Sequence, residues 1–191
     1  NPFGYGRIIR DSAGGFIRIV EQKDGSEKEL AVHEVNTSVY AFDAQVLAQS
    51  IEKIKSSNAQ QEFYLTDALA YAREMGTVGI VTVDNPLRVE GVNDRVQLSK
   101  LAKAHNQEIC EYWMRQGVSI LDPDTTWIED DVQLEADAVI LPGSYLQGNT
   151  RVAAHAVIGP DTTLINAVIE RGATVERSRI EKTHIGKEAT I

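Results

Sequence analysis

Four short stretches carry residue types that could do chemistry. In GYGRI (Gly4–Ile8), two glycines flank an aromatic where a β-rich run begins. Glycine lets a backbone approach a ligand closely, and it serves equally well in a plain turn. In VEQKD, Glu21 stands at the end of an apolar run. A carboxylate there accepts hydrogen bonds from sugar hydroxyls, or simply ends the strand as an exposed charge. In VNTSV, Asn36 sits within a β run, where asparagine is disfavoured. Its amide donates and accepts at once, which suits a sugar or an N-acetyl group; the plainer reading is a polar residue on the wet face. In VEGVNDR, Asn93 precedes a long helical pattern. It reads as that helix's N-cap, or as an oxygen donor to a hard cation such as Mg2+.

Other reactive types do not form such sets. His33, His105, His155 and His184 lack the paired spacing of a metal site. His105 falls on a helix seam and reads as core, His155 as a repeat residue at an interface. Cys110 reads as a small core residue. The chain has no Gly-rich phosphate loop of the kind that opens nucleotide-binding domains.

The elements that must position these residues are mixed at first. Tyr5–Arg10 and Phe16–Val20 read as a hairpin closed by DSAGG, and Val32–Phe42 as a third strand. Val46, Leu47, Ile51 and Ile54 mark one helix. YLTDALAYAREMG reads as another, with Thr66 as N-cap and Gly76 closing it. Val78–Val83 is a short buried strand. The longest helical pattern follows, with Val96, Leu98, Leu101, Ala102, His105, Ile109 and Met114 as its apolar seam and Gly117 at its end.

A repeat then takes over. Aliphatics recur at 128, 134, 140, 146, 152, 158 and 164, and a small or β-branched residue follows each by four: Val132, Ala138, Ser144, Thr150, Ala156, Thr162 and Val168. Neither helix nor strand repeats every sixth residue. Such a period predicts a solenoid, three sixes per turn, with three flat parallel sheets and the aliphatics inward. After 164 the inward series continues at 169, 175, 180, 185 and 191.

Composition bounds the partners. With 28 acidic and 19 basic residues among 191, the net charge of −9 argues against nucleic acid or an anionic membrane surface. A small phosphorylated ligand remains compatible. One cysteine permits no intrachain disulfide and fits a reducing, cytoplasmic setting. No apolar run reaches the roughly 18 residues of a membrane span, and no signal peptide opens the chain. The start at Asn1-Pro2-Phe3 without methionine reads as a partial or processed chain.

In this order, YGRI, IVEQKD, EVNTSVYAF, SSNAQQEFYLTD and VEGVNDRVQLSKL, followed by hexapeptide repeats, resemble one bacterial enzyme family over essentially the whole chain. It is the bifunctional N-acetylglucosamine-1-phosphate uridyltransferase / glucosamine-1-phosphate N-acetyltransferase. The resemblance implies the latter part of a Rossmann-like α/β nucleotidyltransferase domain (residues 1–93), a helical arm (94–117) and the first coils of a left-handed parallel β-helix (118–191). Handedness comes from the family alone, because crossovers are usually right-handed. It further implies Mg2+-dependent uridylyl transfer from UTP to N-acetylglucosamine 1-phosphate, acetyl transfer from acetyl-CoA to glucosamine 1-phosphate, a homotrimer and a place in cell-wall precursor synthesis.

Carried over by motif, Gly6, Glu21, Asn36 and Asn93 bind UDP-N-acetylglucosamine, and Asn93 also ligates Mg2+. The family's Gly-rich loop and a metal-binding aspartate are expected upstream of Asn1, and its acetyltransferase histidine and acetyl-CoA coils downstream of Ile191. The chain is therefore expected to be an internal fragment with no catalytic residue of its own, inactive alone. The alternatives are another sugar-1-phosphate nucleotidyltransferase with a hexapeptide tail, or a non-catalytic oligomerising relative.

Overall fold

The computed structural model describes residues 2–191, which divide into two compact units at the Gly91/Val92 boundary.

The first unit is built on a hairpin. Strands β1 (Arg7–Arg10) and β2 (Phe16–Val20) pair antiparallel with Arg7 opposite Val20 and Ile9 opposite Arg18. The turn forms where DSAGG predicts it. Asp11 Oδ1 accepts the amide protons of Ala13 and Gly15 at 3.0 and 2.8 Å, and Gly14 takes the left-handed conformation at φ +84°. Helices α1 (Glu27–Leu30), α2 (Ala44–Ile51) and α3 (Asp67–Met75) follow. Ser26 and Glu29 close a capping box on α1, and the Asp43 carboxylate caps α2. The core is small: Ile8, Phe16 and Ile19, with Tyr40, Leu69, Val78 and Ile80 against them.

Two expected strands are much reduced. Val32–Phe42 keeps one bridge, Val35 opposite Arg7, with Ile8 N–H donating to the Glu34 carbonyl at 3.0 Å and Asn36 N–H to the Gly6 carbonyl at 2.8 Å. Val78–Val83 forms no strand, and Val81 is exposed. A strand exists only with a neighbour for its ladder, and among the described residues none pairs with this run. No parallel sheet forms in this unit either: its described sheet is the two-stranded hairpin.

The second unit begins with helix α4 (Arg95–Arg115). Its N-cap is Asp94, whose carboxylate accepts from Gln97 N–H at 2.7 Å, and not Asn93. The expected seam is also displaced. Val96 is 62% exposed, Leu98 and Met114 are exposed, and His105 points outward to Asp130. The buried residues are Asn106 and Cys110, one turn apart, with Ile109 and Trp113 partly buried against the core. The buried stripe does not follow the most apolar positions, because the inward face holds an asparagine.

The repeat folds as a β-solenoid of parallel strands in three four-stranded sheets. One stacks Trp127–Ile128, Tyr145–Gln147, Thr163–Ile165 and Arg179–Glu181; the next Gln133–Leu134, Arg151–Val152, Val168–Ile169 and His184–Ile185; the third Ser119–Ile120, Val139–Ile140, Val157–Ile158 and Thr174–Val175. In-register pairing places Ile128 under Leu146 and Leu146 under Leu164. All seven aliphatics from Ile128 to Leu164 are buried, as are Val132, Ala138, Ser144, Thr150, Ala156 and Thr162.

The series breaks at 168. Val168 faces outward and Ala167 takes the buried slot, because the turn at Asn166 (φ +49°) reaches the next strand one residue early. Ile191, expected inward, is 51% exposed: its backbone pairs with Thr174 and Glu176, but no coil stacks over its side chain in this chain. Carboxylates join successive coils at the corners. Glu129 accepts from Gly148 N–H at 2.7 Å, Glu135 from Ala154 N–H at 2.8 Å and Glu170 from Lys187 N–H at 3.1 Å.

No helix of the described residues is long and apolar enough to cross a membrane.

Candidate functional site

The hairpin brings three of the four candidate residues together. Arg7 lies opposite Val20, so Gly6 and Glu21 continue the pairing just beyond the ladder. A Cβ on Gly6 would lie 3.3 Å from both Glu21 carboxylate oxygens and 2.8 Å from Ile19 Cγ2. The missing side chain is therefore what allows the carboxylate to lie against the backbone. Asn36 reaches the same place from the third segment through its N–H bond to the Gly6 carbonyl, 2.8 Å long. Of the two backbone polar groups on Gly6, that leaves the N–H to meet a ligand.

Two neighbours not read as site residues in the sequence complete this cluster. Thr66, expected as an N-cap, makes no capping bond; its backbone is already helical, at φ −60° and ψ −27°. Its hydroxyl instead donates to Glu21 Oε1 at 3.0 Å. Tyr40 donates its hydroxyl to Asn36 Oδ1 at 2.9 Å, and Ser38 N–H donates to the same oxygen at 3.0 Å. Burial pushes the Tyr40 hydroxyl pKa above its ordinary value, and the Glu21 charge adds to that rise. Tyr40 stays a neutral donor.

The Asn36 side chain is thereby narrowed. An amide oxygen has two lone pairs, and both are taken. Asn36 is 7% exposed, so the Nδ2 group is what it can offer a ligand. The dual donor and acceptor role expected of it becomes a donor role. The signal for Tyr40 lay within the same run, VNTSVYAF: a tyrosine four residues after a misfit asparagine.

Two recesses flank the cluster. A polar one of about 250 Å³ is lined by Glu21 with Arg18, Asp24, Asn58, Tyr64 and Asp67. Burial, and then the Asp24 charge, raise the Asp67 pKa. An apolar one of about 320 Å³ is bordered by Asn36, Tyr40, Ile8, Phe16 and Leu69. Ile19 lines both.

Asn93 belongs to the second unit. It is exposed, and its N–H donates to Gln97 Oε1 at 2.7 Å. Among the described residues, no group of three or more His, Cys, Asp or Glu could hold a metal ion. The histidines stay apart: His105 bonds Asp130 at 3.0 Å, His184 bonds Glu170 at 2.9 Å, and His155 sits exposed at a solenoid corner with φ +61°. Cys110 is buried, and burial pushes its thiol pKa up.

No family model matches the chain. Known proteins do match it. It is 61% identical, over its whole length, to the bifunctional protein GlmU of Bifidobacterium animalis subsp. lactis. The chain belongs to the GlmU family. GlmU of Paenarthrobacter aurescens is 48% identical over 189 residues, or 98% of the chain, and GlmU of Corynebacterium diphtheriae is 47% identical over 192 residues. The chain spans only 42% of the B. animalis protein and 38% of that from P. aurescens. The resemblance drawn from the motifs is borne out over the full chain.

Proposed function

We propose that the protein containing this chain makes UDP-N-acetylglucosamine. It joins UTP to N-acetylglucosamine 1-phosphate, and its solenoid domain transfers acetyl from acetyl-CoA to glucosamine 1-phosphate. In this reading residues 1–93 belong to a Rossmann-like uridyltransferase domain, 94–117 to an arm, and 118–191 to the first coils of a left-handed β-helix within a cytoplasmic homotrimer. This chain alone carries neither reaction.

The observation that supports it most is the convergence of Gly6, Glu21 and Asn36, residues far apart in sequence, on one edge of the hairpin. The chemistry suits a sugar. The Glu21 carboxylate, held by Thr66, accepts hydroxyl protons; the Asn36 Nδ2 group donates to an N-acetyl carbonyl; and Gly6 N–H donates without a side chain in the way. In this reading these groups bind and orient the sugar. Rate enhancement in phosphoryl transfer rests mainly on positioning and on stabilising charge.

Mg2+ belongs to the reading, with Asn93 offering one oxygen. A hard divalent cation takes about six oxygens. One exposed amide oxygen is not such a set, so the metal site cannot be built on Asn93 alone.

The test is steady-state kinetics of the full-length protein with Glu21→Gln. The KM for N-acetylglucosamine 1-phosphate should rise about tenfold or more, since a charged acceptor to hydroxyl donors is lost. An unchanged KM removes Glu21 from the site.

A further inference from the structure

Arg7 is 2% exposed, yet among the described residues it makes no ion pair. A buried guanidinium without a counter-charge is rare and costly, and it persists where its hydrogen bonds hold something in place. Here they do. Its terminal nitrogens donate to the Tyr5 carbonyl and, at 2.8 Å, to Gln22 Oε1, while its Nε has no partner. Gln22 Oε1 also accepts Gly4 N–H at 3.1 Å. Gly4 itself has φ +89° and open space where a side chain would stand, and besides the Gln22 contact its turn is held by the Tyr5 N–H bond to the Pro2 carbonyl at 3.3 Å.

We propose that Arg7, through Gln22, is a positioning residue that locks the Gly4-Tyr5-Gly6 backbone into the conformation that presents Gly6 to the sugar nucleotide. This rests on the reading of Gly6 as a ligand contact. Arg7 and Gln22 touch no ligand themselves. One arm of the guanidinium fixes Tyr5, and the other fixes Gly4 through a shared amide oxygen. The segment before Gly6 is thus ordered before a ligand arrives, and the ligand does not have to order it.

The two roles open to Arg7 separate in experiment. As a purely structural residue, its loss would lower affinity only as far as it lowers stability. As a latch, its loss should lower affinity with stability nearly intact, because removing an unpaired buried charge relieves as well as destabilises.

The test uses the full-length protein, with Arg7→Met, Gln22→Leu, Gln22→Glu and Glu21→Gln. UDP-N-acetylglucosamine affinity is measured by calorimetry and melting temperature by circular dichroism. Arg7→Met should weaken binding about tenfold, the scale of ordering a freed loop residue, with melting little changed; Gln22→Leu should weaken binding as much but also lower the melting temperature, because it strands the buried guanidinium. Gln22→Glu keeps the acceptor and supplies a counter-charge, so it should bind within about twofold of wild type. If Gln22→Leu binds like wild type while Glu21→Gln is weakened, the latch is wrong and the site stands. If affinity and melting fall together in Arg7→Met, and Gln22→Glu binds as weakly as Gln22→Leu, Arg7 is structural only and the proposal is overturned. If the wild-type protein binds no UDP-N-acetylglucosamine, the reading of the site falls, and the latch with it.

Discussion

The side chain of Asn106 pairs with the backbone around Ile128 as a strand would. Its Oδ1 accepts Ile128 N–H at 3.0 Å, and its Nδ2 donates to the Thr126 carbonyl at 2.8 Å. Trp127–Ile128 is the outermost strand of its sheet, so these groups would otherwise face helix α4 unpaired. One amide thus caps the open end of that sheet.

Asn106→Ala should therefore destabilise the second unit strongly. It leaves a buried donor and a buried acceptor unmet, each at about 1–3 kcal/mol, for a total of about 2–6 kcal/mol. Asn106→Asp keeps an acceptor for Ile128 N–H but loses the donor to Thr126, so it should also be destabilised. Urea denaturation followed by circular dichroism measures both. A change under about 1 kcal/mol in Asn106→Ala would mean that water replaces the amide.

Adjacent solenoid positions should respond oppositely. Leu146 is fully buried between Ile128 and Leu164, and Tyr145 beside it faces solvent. Leu146→Ala should lose about 2–5 kcal/mol through lost burial and a cavity. Tyr145→Ala should lose under about 1 kcal/mol. Comparable losses in denaturant melts would show that the stacked columns do not define inside and outside.

The solenoid was legible because its signal is local and repeated. Each inward aliphatic returns at a fixed interval, so Ile128 to Leu164 could be placed without seeing a contact. It failed at Val168, where a turn shortened by one residue shifts the register and no residue type announces that. The face of α4 was misread for another reason. A hydrophobic stripe assumes that burial follows apolarity, and Asn106 is buried to satisfy backbone groups some 20 residues away in sequence. Gly6, Glu21 and Asn36 stood out because each is a poor choice for a plain strand. Thr66 and Tyr40 did not, because a threonine before a helix and a tyrosine in a β run already have ordinary explanations. The strands at Val32–Phe42 and Val78–Val83 depend on partners that local composition cannot supply.

Cys110 should be silent to thiol reagents in the folded chain. It is buried against the helix–solenoid core, and its thiol pKa is raised by burial. Ellman's reagent at pH 8 should react only on opening of α4, at a rate that Asn106→Ala increases. The raised folded pKa also has a sign. The unfolded thiol ionises near pH 8.5 and the folded one later, so its contribution to stability is present below about pH 8.5 and lost as pH rises through the folded pKa. Wild type should thus lose stability relative to Cys110→Ala over that alkaline window. Rapid labelling at pH 8 without denaturant would contradict the buried placement.

Gly6→Ala should act on the ligand through Glu21. The added methyl would lie 2.8 Å from Ile19 Cγ2 and 3.3 Å from both Glu21 oxygens. The backbone at Gly6 does not need glycine's special conformations, so the penalty is crowding and not torsional strain. Ile19 must therefore give way, and it borders the two recesses; Glu21, only partly buried, has to yield less and can swing away from Thr66. Both shifts displace the carboxylate from its place against the Gly6 backbone. In the full-length protein, Gly6→Ala should raise the KM for N-acetylglucosamine 1-phosphate about as much as Glu21→Gln does. Adding Glu21→Gln to it should then do little more, because both changes remove the same acceptor. A double variant whose KM is the product of the two single effects would place Gly6 and Glu21 at independent points of the site.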